Sequence, residues 1–246
     1  DLSRLGHHYG CALAEAFPRV LVLAAKWQAE DMIPGLSDLD GRMVCAQMKA
    51  RDWLQLGEAM GEVHLRMCRE HPRWSRALEH PPSAGVTLDE AVDPVLYHPE
   101  SWQWSLQWGD PPTRERIRSK LATREWDQRD EQYFLRRFTA YLAPYAEAID
   151  PPINVERGLE RKYGLHSRVM HYFVPGIQAG LCLLNKRVIR GKKEALRQWL
   201  RMRPGEQALQ QAAEMLENNY QVSALDDGGE RREFEKRCLQ FLGELA

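Results

Sequence analysis

Hydrophobic and polar positions follow different periods in the two halves of the chain. In the first half, residues 19–25 form a short apolar run rich in valine and leucine, which predicts a buried strand. Two further strands are predicted over residues 39–45 and 85–92. Residues 2–16 and 49–70 instead carry apolar side chains three and four positions apart, which is typical of amphipathic helices. The first half therefore combines helices with strands.

From residue 111 onward the pattern is helical. Helices are predicted over residues 113–123, 127–149, 156–184, 192–201, 206–220 and 230–245. Pro175 and Gly176 are expected to kink the longest of these helices. We therefore predict an α+β protein, in which a small mixed sheet with helices occupies residues 1–110 and an all-helical domain occupies residues 111–246.

Composition and charge narrow the class of protein. The longest apolar stretch, residues 20–25, is far shorter than the roughly 18 residues that cross a bilayer, so no membrane span is expected. The 34 basic and 35 acidic residues give a net charge of −1, which argues against nucleic acid as a partner. The 5 cysteines are widely spaced and form no CxxC, which indicates reduced thiols in a cytoplasmic protein. The oligomeric state stays open.

Two carboxylates, Asp38 and Asp40, lie one residue apart at the start of the second predicted strand, and we call them the carboxylate pair. Side chains alternate along a strand, so both project from the same face. Like charges this close repel each other unless a cation lies between them, and Mg²⁺ commonly takes one or two carboxylates together with phosphate oxygens. The preceding turn, which contains Pro34 and Gly35, leaves room for a triphosphate. The pair therefore predicts a magnesium site.

The stretch Ser37-Asp38-Leu39-Asp40, which follows a strand and a turn and opens a second strand, resembles the nucleotidyltransferase fold of the DNA polymerase β superfamily. The chain resembles the small bacterial members of that superfamily, the antibiotic nucleotidyltransferases of the aminoglycoside type. The resemblance implies that Asp38 and Asp40 hold the metal that binds a nucleoside triphosphate, with Ser37 beside the nucleotide. It also implies a small mixed sheet followed by a helical domain that closes the cleft.

The same resemblance implies a third acid on a later strand, which completes the site and deprotonates the acceptor hydroxyl. The strand predicted over residues 85–92 is the expected place. Alternation puts Asp89 on its open face, so Asp89 is the first candidate, with Glu90 and Asp93 as alternatives.

A basic turn over residues 185–196 is similar to a segment in the helical domain of antibiotic adenylyltransferases. In those enzymes a lysine begins the following helix. The resemblance implies that Lys192 binds phosphate, with Lys193 beside it, and the free N–H groups of a helix N-terminus add to that attraction. Gly191 stands where the family usually has serine.

These features predict Mg²⁺-dependent transfer of a nucleoside monophosphate from a nucleoside triphosphate, with ATP favoured, to a hydroxyl of a small molecule of the aminoglycoside type. Pyrophosphate is the other product. The family's Gly-Ser at the end of the first strand is replaced here by Ala24-Ala25-Lys26. This departure keeps open a degenerate domain that acts as a non-catalytic ligand sensor or protein partner.

The sequence resembles a second enzyme class less closely. Asp38-Leu39-Asp40-Gly41 also resembles the Asp-x-Asp-Gly motif of haloacid-dehalogenase-like phosphatases, but the residues before it form a turn rather than an apolar strand, and Arg42 stands where threonine is expected.

The histidines form no HExxH, so metal binding through them is not expected. Trp102, Trp104 and Trp108 are predicted to form a core or domain-interface patch.

Overall fold

A computed structural model describes residues 2–26, 28–32, 37–74, 77–93, 99–146, 173–217 and 228–246. The chain forms two compact units, Asp1–Glu125 and Trp126–Ala246. The predicted α+β class is confirmed, with a small mixed sheet in the first unit and helices in the second. The division falls after Glu125 rather than after residue 110, because the helix that follows residue 110 packs on the sheet.

The first unit is built around a four-stranded sheet with the order β3-β2-β1-β4. Its strands are β1 (Val20–Ala25), β2 (Gly41–Cys45), β3 (Ser83–Thr87) and β4 (Ser105–Gly109), and its helices are α1 (Leu2–Ala16), α2 (Ala50–Glu70), α3 (Leu88–Val92) and α4 (Pro111–Thr123). Strand β1 runs antiparallel to β2 and β4, whereas β2 and β3 are parallel. The parallel pair follows from the connection through α2, since parallel neighbours need a long crossover.

Helices α1 and α2 pack on one face of this sheet. The buried cluster between them draws alternate residues from both central strands, Leu23 and Ala25 of β1 and Met43 and Cys45 of β2. Helix α4 packs against β1, β4 and α3, with Ile117 and Leu121 buried.

Gly85 marks the closest approach of two neighbouring strands. A Cβ atom built on Gly85 of β3 would overlap the carbonyl oxygen of Met43 in β2. The β2–β3 register is irregular between the pairs Arg42–Ser83 and Val44–Val86, which brackets this point. Only a residue without a side chain fits here, so Gly85 sets how closely β3 lies against β2.

The third strand is shorter than predicted. Strand β3 ends at Thr87 and helix α3 begins at Leu88, whereas the sequence pattern predicted a strand as far as residue 92. The reason is a capping box: the Thr87 N–H donates to the Glu90 carboxylate at 2.7 Å, and the Glu90 N–H donates to the Thr87 hydroxyl at 3.3 Å. These bonds satisfy the first turn of a helix, so the strand stops.

Strand β4 was not predicted. It begins directly after Trp104 and contains Trp108. The Trp108 ring packs against Gly10 of α1, and a side chain at Gly10 would overlap the ring. Trp102 and Trp104 are buried in the first unit, and Trp108 packs against its core. The aromatic cluster therefore belongs to the core of this unit.

The second unit consists of helices over the residues that the structure describes there. These are α5 (Gln128–Ala146), α6 (Val174–Asn185), α7 (Lys192–Met202), α8 (Gln207–Glu217) and α9 (Gly228–Leu245). Two buried polar bonds hold α6 to the segment that follows it. The Gln178 amide donates to the Ile189 carbonyl, in the connection before α7, at 2.9 Å, and the Trp199 indole N–H of α7 donates to the Ile177 carbonyl at 2.8 Å.

Two other expectations concern this unit and the membrane. Pro175 lies in the first turn of α6, where proline is well tolerated, and most of the long helix predicted before it lies outside the described residues. Within the described ranges, no helix combines the length and the apolar character that a membrane span requires.

Candidate metal centre

The carboxylate pair lies at the end of the sheet where β2 begins. Leu39, between the two acids, is 3% exposed, and its N–H donates to the Ala77 carbonyl at 2.7 Å. The N–H of Lys26, just beyond β1, donates to the Asp40 carbonyl at 3.0 Å. Because the backbone is anchored on both sides and Leu39 points inward, both acids face outward, with side chains 28% (Asp38) and 26% (Asp40) exposed.

His80 joins the pair from a different part of the chain. It precedes β3, and because β3 is parallel to β2, the residues before both strands meet at one end of the sheet. His80 Nε2 lies 3.7 Å from Asp38 Oδ2 and 3.3 Å from Asp40 Oδ1. The three ligand atoms lie within 4.8 Å of one another, so these residues can hold a metal ion. We call them the Asp-Asp-His cluster.

The Nδ1 atom of His80 has a hydrogen-bond partner of its own, which leaves Nε2 as the nitrogen that faces the acids. His80 Nδ1 lies 2.9 Å from the Pro81 carbonyl oxygen, and since a carbonyl only accepts, Nδ1 carries the proton of that bond. Nε2, the other ring nitrogen, faces both carboxylates and is the nitrogen that a metal ion would contact. An ion placed between these three atoms would touch all of them.

The third-acid candidates lie elsewhere. Asp89 and Glu90 fall in the first turn of α3, beyond Thr87, which is paired with Cys45 at the carboxyl end of β2. Asp93 ends the same helix. All three therefore lie at the opposite end of the β2–β3 pair from the Asp-Asp-His cluster. The physical reason is the parallel direction of the strands, which brings the residues before β3, and not those after it, to the carboxylate pair.

The remaining predicted residues fall in two places. Ser37 directly precedes the pair and is partly buried. Lys192 and Lys193 form the first turn of α7 in the second unit, and that helix begins at the predicted residue. Gly191 caps it with φ of 89°, a conformation that glycine adopts readily and serine does not, which explains the glycine at this position.

A mostly buried ion pair lies near the carboxylate pair. Arg42 Nε donates to Glu100 Oε1 at 2.8 Å, with side chains 15% and 17% exposed, and the Trp104 indole N–H donates to the same oxygen at 3.3 Å. Burial alone would raise the pKa of Glu100. The charge and hydrogen bond of Arg42, the charge of Lys26 and the Trp104 bond outweigh burial and hold this pKa below its usual value. No pattern in the sequence indicates this pairing.

A pH series tests the ion pair. We expect Glu100→Gln to lower the free energy of unfolding near neutral pH by about 2 kcal/mol, since it removes a charged hydrogen-bond partner from a mostly buried arginine. Because the folded-state pKa of Glu100 is depressed, its stabilisation is complete above the unfolded-state pKa and is lost as pH falls through the folded-state value. Urea denaturation of both proteins should therefore show a difference that shrinks below about pH 4.

The matched control is Glu58→Gln on the exposed face of α2, for which we expect a change within about 0.5 kcal/mol at every pH. A Glu100→Gln difference that persists unchanged into acid would contradict the assignment.

A second histidine lies close to His80. His64 Nδ1 is 2.9 Å from the Tyr9 hydroxyl, and its Nε2 is 3.7 Å from the Cys68 sulfur. Burial lowers the pKa of His64, and the nearby His80 lowers it further. His64 is therefore disposed to stay neutral, and both of its ring nitrogens already have partners within the fold.

Comparisons with protein-family models, with curated proteins and with solved structures found no match to this chain. The relationship to nucleotidyltransferases stays a prediction from the carboxylate pair and the segments around it.

Proposed function

We propose that this chain is a nucleotidyltransferase that moves a nucleoside monophosphate from a nucleoside triphosphate, with ATP favoured, to a hydroxyl of a small molecule. Pyrophosphate is released. The observation that supports this proposal is the convergence of Asp38 and Asp40 with a third ligand at one partly exposed end of the sheet. A divalent cation at that place is what a triphosphate needs in order to bind and react.

The chain's own residues would contribute mainly position and charge. Asp38 and Asp40 would hold Mg²⁺, which supplies Lewis-acid stabilisation of the charge on the transferring phosphoryl group. The buried Leu39 and the Lys26–Asp40 backbone bond keep both carboxylates in place, so little reorganisation accompanies ligand binding. Lys26 adds a positive charge just beyond β1, where the family that this chain resembles carries Gly-Ser.

Other roles in the proposal rest on the resemblance alone. Lys192 and Lys193 are assigned to phosphate binding because they begin a helix in the similar segment. The acceptor is proposed to be a small hydroxylated molecule of the aminoglycoside type.

The proposal is tested by nucleotide titration followed by a product screen. The full chain is titrated with ATP and GTP, with and without Mg²⁺, and then screened for pyrophosphate release over a panel of hydroxylated acceptors. We expect nucleotide binding that requires Mg²⁺ and is lost in Asp38→Asn, and pyrophosphate release with at least one acceptor class. Nucleotide binding that ignores both the metal and Asp38 would refute the proposal.

A non-catalytic ligand sensor is the second candidate. Ala24 and Ala25 are 0% and 1% exposed, so the end of β1 offers no hydroxyl for a γ-phosphate where the family has serine. Metal-dependent nucleotide binding without pyrophosphate release from any acceptor would favour this candidate.

The phosphatase alternative loses support from the topology. Sites in open α/β sheets lie outside the carboxyl ends of parallel strands. Here the carboxylate pair precedes β2, and β1 beside it is antiparallel.

A further inference from the structure

The third ligand of the cluster is a nitrogen rather than a carboxylate oxygen. We infer that Asp38, Asp40 and His80 form a site for a transition-metal ion, Zn²⁺ in preference to Mg²⁺, with His80 Nε2 bound directly to the ion. The inference rests on the same carboxylate pair as the proposed function, but it requires neither a nucleotide nor a transfer reaction. Within that function it would put a transition-metal ion in the place given above to Mg²⁺.

The donor set supports Zn²⁺. Mg²⁺ prefers oxygen ligands and loses its water reluctantly, whereas imidazole suits Zn²⁺ and its neighbours in the first transition row. Three protein ligands, with one position left to water or substrate, are the usual arrangement of a catalytic zinc site.

The donor atoms are close enough to share one ion. Zn²⁺ binds nitrogen and oxygen at about 2.0–2.2 Å, so two ligands on a tetrahedral ion lie about 3.4 Å apart. His80 Nε2 lies 3.3 Å from Asp40 Oδ1 and 3.7 Å from Asp38 Oδ2, and the three donor atoms all lie within 4.8 Å of one another.

The histidine ring is also held as a metal ligand requires. The bond from His80 Nδ1 to the Pro81 carbonyl, at 2.9 Å, is the outer contact that orients a ligating ring and makes its other nitrogen more basic. Two consecutive prolines, Pro81 and Pro82, restrict the backbone that follows the ring, and Pro82 is buried. The ring is thereby positioned before any metal binds.

Cobalt(II) is a suitable probe because its visible spectrum reports coordination geometry. Other side chains compete for it, so the background is the full chain with His7→Gln and Cys11→Ser, which removes an exposed pair 3.7 Å apart on α1. We expect one equivalent of Co²⁺ to bind with the intense visible bands of tetrahedral Co²⁺ and without the near-ultraviolet band of a thiolate ligand. We expect Zn²⁺ to displace it stoichiometrically, and Mg²⁺ to fail even at about hundredfold excess.

Two variants make the test specific. His80→Ala should weaken Co²⁺ binding by about a hundredfold or more, since loss of an outer contact alone costs 10–100-fold. His80→Asp should weaken Co²⁺ and Zn²⁺ binding while allowing Mg²⁺ to compete, because it restores an all-oxygen set. Far-ultraviolet circular dichroism of both variants shows whether the fold is retained.

Two results would overturn the inference: unchanged Co²⁺ affinity and spectrum in a folded His80→Ala protein, or displacement of Co²⁺ by Mg²⁺ at equal concentration. A third, no Co²⁺ binding at all in the folded protein, would overturn it as well. Tight Co²⁺ binding with no nucleotide binding or transfer would refute the proposed function alone.

Discussion

Asparagine in place of Asp40 should abolish divalent-cation binding at the Asp-Asp-His cluster and slow pyrophosphate release by about a thousandfold or more. Asparagine keeps the size of the side chain and removes its charge. Asp38 and the new asparagine then carry one negative charge between them, where the two aspartates carried two. The Lewis-acid contribution of the ion, worth several kcal/mol, is lost with the ion. Isothermal titration with divalent cations and initial rates of pyrophosphate release measure the two effects.

Asp89→Asn is the informative comparison, because it makes the same chemical change at the opposite end of β3. We expect cation affinity unchanged and transfer within about threefold of the unsubstituted protein, since Asp89 is exposed in the first turn of a short helix. Equal losses in both variants would place Asp89 in the site and would contradict the topology described here.

Gly85→Ala should lower the free energy of unfolding by about 3 kcal/mol or more. A methyl group on Gly85 would overlap the carbonyl oxygen of Met43, and because that atom belongs to the backbone of β2, it cannot turn away as a side chain can. The strands must separate instead. The loop before β3 carries His80, so cation binding should weaken in the same variant. Urea denaturation and cation titration measure both.

Gly57→Ala is the matched control for this substitution. Gly57 is exposed in the middle of α2, and nothing lies within 4 Å of a Cβ atom built there. Alanine is the better helix former, so this variant should be more stable by about 0.5–1 kcal/mol. Destabilisation of similar size in both variants would show that the close approach of β3 to β2 is not the cause.

Local pattern was sufficient for several elements. Helix α1 spans the predicted residues 2–16, and α2 begins one residue after its predicted start and ends where predicted. Both helices carry one continuous apolar face, which is the strongest signal that a single sequence offers. The carboxylate pair was equally visible, because its two members are neighbours in the chain and share a strand start.

The third member of the cluster was not visible in this way. His80 is about forty residues from Asp40, and the two meet only because β3 lies parallel to β2. The long helix between the two strands was a usable signal, since a helical crossover implies parallel neighbours. It would have directed attention to the residues before β3 and away from Asp89. His80 itself sits beside Pro81 and Pro82, a combination that indicates only a break in regular structure.

Strand β4 was missed for a related reason. A strand pattern is present, because apolar residues alternate with polar ones at Trp104, Leu106 and Trp108. Three tryptophans in seven residues are equally typical of a packing cluster, which is what the sequence predicts there. The strand completes the sheet at the edge beside β1, where its pairing is irregular between Leu23 and Ala24.

The position of α4 has a practical consequence for anyone who wishes to express part of this protein. Truncation after residue 110 would remove α4, whose Ile117 and Leu121 are 1% and 4% exposed. The apolar surface that these side chains cover would then be exposed to water. A recombinant fragment intended to carry the cluster should therefore continue to Glu125 and stop short of Trp126, whose neighbours belong to the helical half.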